Sequence, residues 1–247
     1  MNNNPLLGFN YLLKGFRMLQ QPGLKRHILV PLLINIIVFS LVGWAGYSYF
    51  DAFLNSLLPE SSMFSFLRWI LWPLFALAGV LITFYTFTAI ANLIAAPFNS
   101  LLSAKVEQMV TGKMPPENQQ GLSKIILPTI LSELRKLSYF LIRALPLLLL
   151  FIIPVVNIAA PFLWLLFSAW FLALEYGDYP MGNHGLRFSE QHNRMKQVRF
   201  TAMGFGGGVT LLLLIPLLNF AAMPAAVVGA TLFWCEKRES LEAPEFS

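Results

Sequence analysis

The chain has one cysteine, Cys235, and three histidines. A single thiol excludes an intramolecular disulfide and any metal site built on a cysteine pair. His184 and His192 stand eight residues apart, which is not a one-face ligand spacing, and no H-E-x-x-H motif occurs. Neither G-x-x-x-x-G-K-[ST] nor G-x-G-x-x-G is found; the glycine cluster "GFGGGV" at 204–209 lies in an apolar run without lysine and predicts close helix packing or a bend. No metal, no cofactor and no enzymatic activity are expected, and the chain by itself is not expected to use ATP. Charge is scarce too: 12% of the 247 residues are charged, half of the roughly 25% of soluble domains. The formal net charge of +5 then speaks of orientation and lipid headgroups, with no nucleic-acid partner expected.

What charge there is avoids four stretches. Residues 28–50, 69–104, 144–174 and 200–235 carry none, and each exceeds the roughly 18–20 residues that mark a spanning candidate. The first is too long for a signal-peptide core and lacks small cleavage-site residues after it, so it is expected to remain as an anchor. The chain is predicted to be an all-α integral membrane protein. Lys14, Arg17, Lys25 and Arg26 precede the first run without any acid, and Asp51, Glu60 and Arg68 follow it. The bias of Lys and Arg towards the cytoplasm predicts N- and C-termini inside and a multi-pass chain.

The layout follows from spacing. Residues 5–22 place Leu6, Phe9, Leu12, Leu13, Phe16 and Leu19 on one side, opposite Lys14 and Arg17, which predicts an interfacial amphipathic helix, with packing in a core as the alternative. Residues 24–50 and 69–104 predict two spanning helices. The second is about 54 Å long at 1.5 Å per residue, so it must tilt, kink or extend beyond the bilayer. A cytoplasmic helical segment follows over 105–143, interrupted by "GKMPPENQQG".

The last two runs are broken ones. "LLLLFIIPVVNIAAPFLWLLFSAW" and "LLLLIPLLNFAAMPAAVVGATLFW" share a leucine-rich arm, Pro-x-x-Asn, small residues and proline. In the second, the arms Gly208–Leu218 and Pro224–Trp234 have 11 residues each, about 16 Å of helix and half the hydrocarbon thickness. Re-entrant, half-inserted helical hairpins over 144–174 and 206–235 are therefore expected, with Asn157 and Asn219 at the tips and a tail over 236–247. Two kinked full spans are the alternative. They differ in the side on which 175–199 lies, and its four Lys/Arg favour the cytoplasm. A third copy, "NLIAAPF" at 92–98, lacks the preceding Pro-x-x and is expected to kink a helix that continues.

Two kinds of site stand out. "QPGLKRHILVP" ends the first helix at Pro22-Gly23 and opens the next with Leu24-Lys25-Arg26. Free N–H groups at a helix start, a glycine that lets an anion approach, and two cations make Gly23, Leu24, Lys25 and Arg26 a candidate oxyanion site; a topological anchor is the alternative. Glu107, Arg143, Glu175 and Asp178, at the edges of apolar runs, are candidates to line or gate a path together with Asn157 and Asn219. Arg143 and Glu175 bracket the third run, so a hairpin is expected to bring them near each other, as a structural clasp or in a transport role.

The stretches "GFNYLLKGFRMLQQPGLKRHILVPLLIN" (8–35), "NLIAAPFNSLLSAKVE" (92–107) and "PFLWLLFSAWFLALEYGDYPMGNHGLRFSE" (161–190), with the closing apolar hairpin, resemble the CysZ-type sulfate permeases of bacteria. The resemblance spans nearly the whole chain. It departs from the family's pattern at Lys25, where arginine is more usual, and at Gly182, where an acid is expected. It implies an inner-membrane homo-oligomer admitting sulfate for cysteine biosynthesis, with Gly23, Leu24, Lys25 and Arg26 as the sulfate-binding stretch. A non-transporting scaffold or lipid-interacting protein is the alternative function.

Overall fold

The computed structural model describes residues 3–26, 94–116 and 122–242, together with isolated positions between 29 and 81. The chain divides into two compact units, Met1–Ile28 with Ala96–Ser247, and Leu29–Ala95. Every regular element among the described residues is helical. They are α1 (Pro5–Met18), α2 (94–111), α3 (Leu122–Leu150), a 3₁₀ turn (Val156–Ile158), α4 (Ala160–Gly182), α5 (Phe188–Gln197), α6 (Arg199–Leu213) and α7 (Pro216–Glu242).

Local chemistry sets several of these boundaries. Asn4 caps α1 by accepting from Leu6 N at 2.9 Å, and Pro5 fills the first turn, where its missing N–H costs nothing. Helix α2 contains Pro97 in its first described turn and ends at Gly112, whose φ of +75° suits glycine. Arg187 N donates to Glu190 Oε2 at 2.7 Å and so starts α5.

In the larger unit α1 packs between α6 and α7, and α6 lies against α4. Small residues permit this closeness. A Cβ on Gly8 would collide with the Thr201 carbonyl, and one on Gly206 with the Ala169 carbonyl. Of the two readings of the glycine cluster, close helix packing is the one the structure shows. Helix α1 buries Gly8, Tyr11, Leu12 and Gly15, while Leu6, Phe9 and Leu13 stay exposed. It therefore combines a packed face with an outward apolar edge.

The third run folds as a helical hairpin, α3 and α4, around a tip at 151–159 that contains Pro154 and Asn157. The tip is exposed throughout, and Val155 has φ +71°, a costly value for a β-branched residue. The fourth run breaks elsewhere than expected. Helix α6 ends at Leu213 and α7 begins at Pro216, so the turn is at 214–215; Asn219 and Pro224 lie inside α7. Proline at the first helical position explains this, because it needs no donor there. The arms are accordingly unequal, 15 and 27 residues.

In the smaller unit, the described positions at 29–49 are helical and those at 73–81 are too. Leu29, Leu33, Ile37, Leu41 and Trp44 are exposed at helical spacing, as are Leu74, Leu77 and Leu81. Of the predicted spans 24–50 and 69–104, all but these positions, 24–26 and 94–104 lies outside the described residues.

Candidate functional site

Polar chemistry collects inside the larger unit, on one face of α2. Asn99, Ser100, Ser103 and Glu107 are all buried. Ser100 Oγ donates to Asn183 Oδ1 at 2.6 Å, and Asn183 Nδ2 returns a bond to the Ser100 carbonyl at 2.9 Å. Asn99 Nδ2 lies 3.4 Å from the Tyr179 hydroxyl, and Ser103 Oγ accepts from Thr231 Oγ1 at 2.9 Å. Glu107 Oε1 lies 2.7 Å from His184 Nε2 and 3.9 Å from Arg238 Nη1. Its Oε2 is buried without a hydrogen-bond partner among the described residues.

A second cluster centres on Lys136, which is 1% exposed. Its ammonium lies 3.2 Å from Asp178 Oδ2, 3.4 Å from Glu175 Oε2, and 4.9 Å from the centre of the Tyr179 ring. Gln191 Nε2 donates to Asp178 Oδ1 at 2.6 Å and to the Leu186 carbonyl at 2.8 Å. Burying an ammonium is tolerable only with such matching.

The predicted clasp is thereby corrected. Glu175 pairs with Lys136, while Arg143, two helical turns further along α3, lies over the Tyr139 ring at 3.7 Å. The cause is register: antiparallel α3 and α4 bring position 136 to the level of 175 and 178, and Arg143 rises above it. Glu107 and Asp178 are buried, and Glu175 is half-buried beside Lys136. Asn157 is at the exposed tip, its backbone N–H donating to the Ile153 carbonyl at 3.0 Å and its side chain without a hydrogen bond among the described residues. Asn219 sits in the first turns of α7, and its side chain lies outside the described residues.

The Gly23 stretch adopts a turn. Gly23 has φ +99°, a left-handed value favouring glycine, and a Cβ there would meet nothing within 4 Å. Leu24 is wholly buried and joins the core that contains Tyr11, Leu12, Leu102 and Val106. Helical backbone begins at Lys25, and Lys25 and Arg26 are exposed. The turn is anchored inward by leucine and presents both cations outward.

A third group ties the chain ends together. Glu236 Oε1 and Oε2 accept at 2.8 Å from Lys14 Nζ and from the Tyr11 hydroxyl. Burial pushes Glu236 upward, but the hydrogen bonds from Lys14 and Tyr11, with the charges of Lys14 and Lys237, outweigh it and hold the carboxyl below its ordinary value. Burial and the hydrogen bond to Glu236 push the Tyr11 hydroxyl up.

Sequence reasoning missed Lys136, Asn183, Gln191 and Thr231, and considered His184 only as a metal ligand. A signal existed on α2: Asn99, Ser100, Ser103 and Glu107 recur at helical spacing. Nothing comparable marks Lys136, one base among several in a charged stretch.

The outer surface identifies the surrounding solvent. Ile142, Leu145, Leu149, Ile152, Ile158 and Phe162 are each at least 60% exposed. In water these six would forfeit on the order of 10 kcal/mol, comparable to a domain's whole stability. Among the described residues, Ala160–Gly182 is the one helix long and apolar enough to cross a membrane by length and composition. Apolar outside and charge-paired inside, the molecule is an all-helical membrane protein.

Comparison with known proteins narrows this class. A family model described as sulfate transporter CysZ/etoposide-induced protein 2.4 matches residues 11–224. The sulfate transporter CysZ of Pseudomonas aeruginosa PAO1 is 46% identical over 232 residues, 93% of this chain and 94% of that protein. That of Pseudomonas fluorescens Pf0-1 is 46% identical over 237 residues, 94% of each chain. The Pseudomonas syringae pv. tomato DC3000 relative, with the same name, is 43% identical over 236 residues, 94% of this chain and 93% of that protein. The chain belongs to the sulfate transporter CysZ/etoposide-induced protein 2.4 family.

Proposed function

We propose that the protein is a sulfate permease, not an enzyme, that admits sulfate to the bacterial cytoplasm without ATP, for cysteine biosynthesis. The observation that carries the reading is near-full-length identity of 43–46% to proteins named sulfate transporter. The open Gly23 turn with its two outward cations supports the oxyanion assignment. Lys25 and Arg26 supply charge and directed donors, while the Leu24 N–H donates to the Gln21 carbonyl at 3.4 Å and fixes the turn that presents them. Lysine at 25 keeps the charge but not the planar fork, so Arg26 is the residue assigned bidentate contact.

Sulfate entry runs against the inside-negative potential, by about 4.6 kcal/mol per 100 mV for two charges. Net uptake then needs a steep concentration ratio, which prompt intracellular consumption sustains, or coupling to another ion. Glu107, Glu175 and Asp178 are assigned to the path's inner wall, each held by a partner: the His184 imidazole and Arg238 for the first, Lys136 for the others. We place the α3–α4 and α6–α7 hairpins as re-entrant elements of an inner-membrane homo-oligomer with cytoplasmic termini. The apolar exposed tip at 151–159 and the basic residues of 187–199 support this placement.

Reconstitution tests the function. Proteoliposomes should take up radiolabelled sulfate above empty vesicles, with chloride a poor competitor. Lys25→Ala with Arg26→Ala should weaken sulfate affinity by about tenfold or more while insertion persists. Absence of flux in the native protein would favour the scaffold reading; unchanged affinity in the variant would leave 23–26 as an anchor.

A further inference from the structure

A basic and aromatic cluster lies where the α3–α4 hairpin leaves its uncharged run. Arg143 is the last charge on α3 before that run, and Glu175 is the first on α4 after it. At this level Trp170 Nε1 donates to the Tyr139 hydroxyl at 3.3 Å, and the same hydroxyl lies 3.4 Å from His192 Nε2. The Phe188 ring lies nearly parallel to His192, with ring planes 9° apart. Arg143 covers the other ring, Tyr139, at 3.7 Å.

Arg143 and Lys196 are exposed, and among the described residues neither has a carboxylate within ion-pair reach. Both are close enough for their charges, after burial, to press His192 below its ordinary value. Beside Arg143, Ile142 is 68% and Leu145 60% exposed. Tyr and Trp with their polar tips bonded are the side chains of a membrane–water boundary. Cations at that boundary attract lipid phosphate. A free oxyanion could use the cations, but it could make nothing of the adjoining apolar face.

We propose that this face binds an anionic phospholipid, its headgroup phosphate on Arg143 and Lys196 and its acyl chains along Ile142 and Leu145. The site rests on the membrane reading of the hairpin and not on sulfate as the substrate. It lies about two helical turns along α3 from Lys136, and Arg143 is exposed there where Lys136 is buried.

Native mass spectrometry of the full chain tests it, with phosphatidylglycerol and phosphatidylcholine of matched acyl chains supplied together. The native protein should retain phosphatidylglycerol in about tenfold preference. Arg143→Ala with Lys196→Ala should remove that preference, and Arg143→Lys should keep most of it. Should the double variant aggregate in size exclusion, the exposed single substitution Lys196→Ala serves, with a partial loss expected. Equal retention of the two lipids by the native protein, or undiminished preference in a folded alanine variant, overturns the proposal. Displacement of phosphatidylglycerol by millimolar free sulfate at constant ionic strength overturns it too, in favour of a free-oxyanion site.

Discussion

Lys136 is the residue on which the interior turns. Its ammonium is almost wholly removed from solvent and has two carboxylates within 3.4 Å. Removing one member of such a buried set leaves uncompensated charge, at a cost of about 3–5 kcal/mol. Lys136→Ala should therefore lower the thermal unfolding midpoint in detergent well beyond the effect of truncating an exposed lysine. Adding Asp178→Asn and Glu175→Gln should recover part of the loss, because the orphaned charges are then gone. A single variant that melts like the native protein would mean that the cluster is hydrated. Glu107 makes the same point from the other sign, since one of its oxygens is bonded to His184 and the other is buried without a partner among the described residues. Glu107, Glu175 and Asp178 were legible in the sequence because each stands at the end of a charge-free run. Their partners were not, because Lys136 and His184 are distant in sequence from the acids they hold.

At the scale of elements, small residues decide the packing. Helices α4 and α6 approach until a methyl on Gly206 would run into backbone rather than a movable side chain. Backbone cannot swing aside as a rotamer can, so overpacking here should cost about 1–3 kcal/mol or more. Gly206→Ala should thus reduce the folded yield and the unfolding midpoint, whereas Gly43→Ala, with open space around it, should change neither. Equal behaviour of the two would show that α4 and α6 can separate cheaply. The repeated Pro-x-x-Asn motif also plays out at this scale. Around Asn157 the helix does break, because Pro154 cannot continue it and Pro161 starts the next. Around Asn219 it does not, because Pro216 has already opened α7, and Asn219 falls within its first turns. The two copies share letters but differ in which proline sits at a helix start.

For the whole molecule the open question is which side of the membrane each segment occupies. Our placement puts 175–199 in the cytoplasm. Ser189 is exposed in that segment, so Ser189→Cys in a Cys235→Ser background should react with an impermeant maleimide only after cells are permeabilised. Labelling of intact cells from outside would instead require four full crossings.

The sequence by itself determined the solvent and the class. Charge confined to the ends of long apolar runs leaves a membrane as the environment in which the chain can fold, and that follows from composition and spacing alone. It also marked Gly23-Leu24-Lys25-Arg26 and the Asn157 tip, because turns and caps are local and are written in adjacent residues. Tertiary structure decided which charges meet. Lys136 rather than Arg143 reaches Glu175 because antiparallel helices set the levels, and register comes from packing along their full length. It also decided that α1 is gripped by α6 and α7, since glycines on three helices must face one another before the backbones can close.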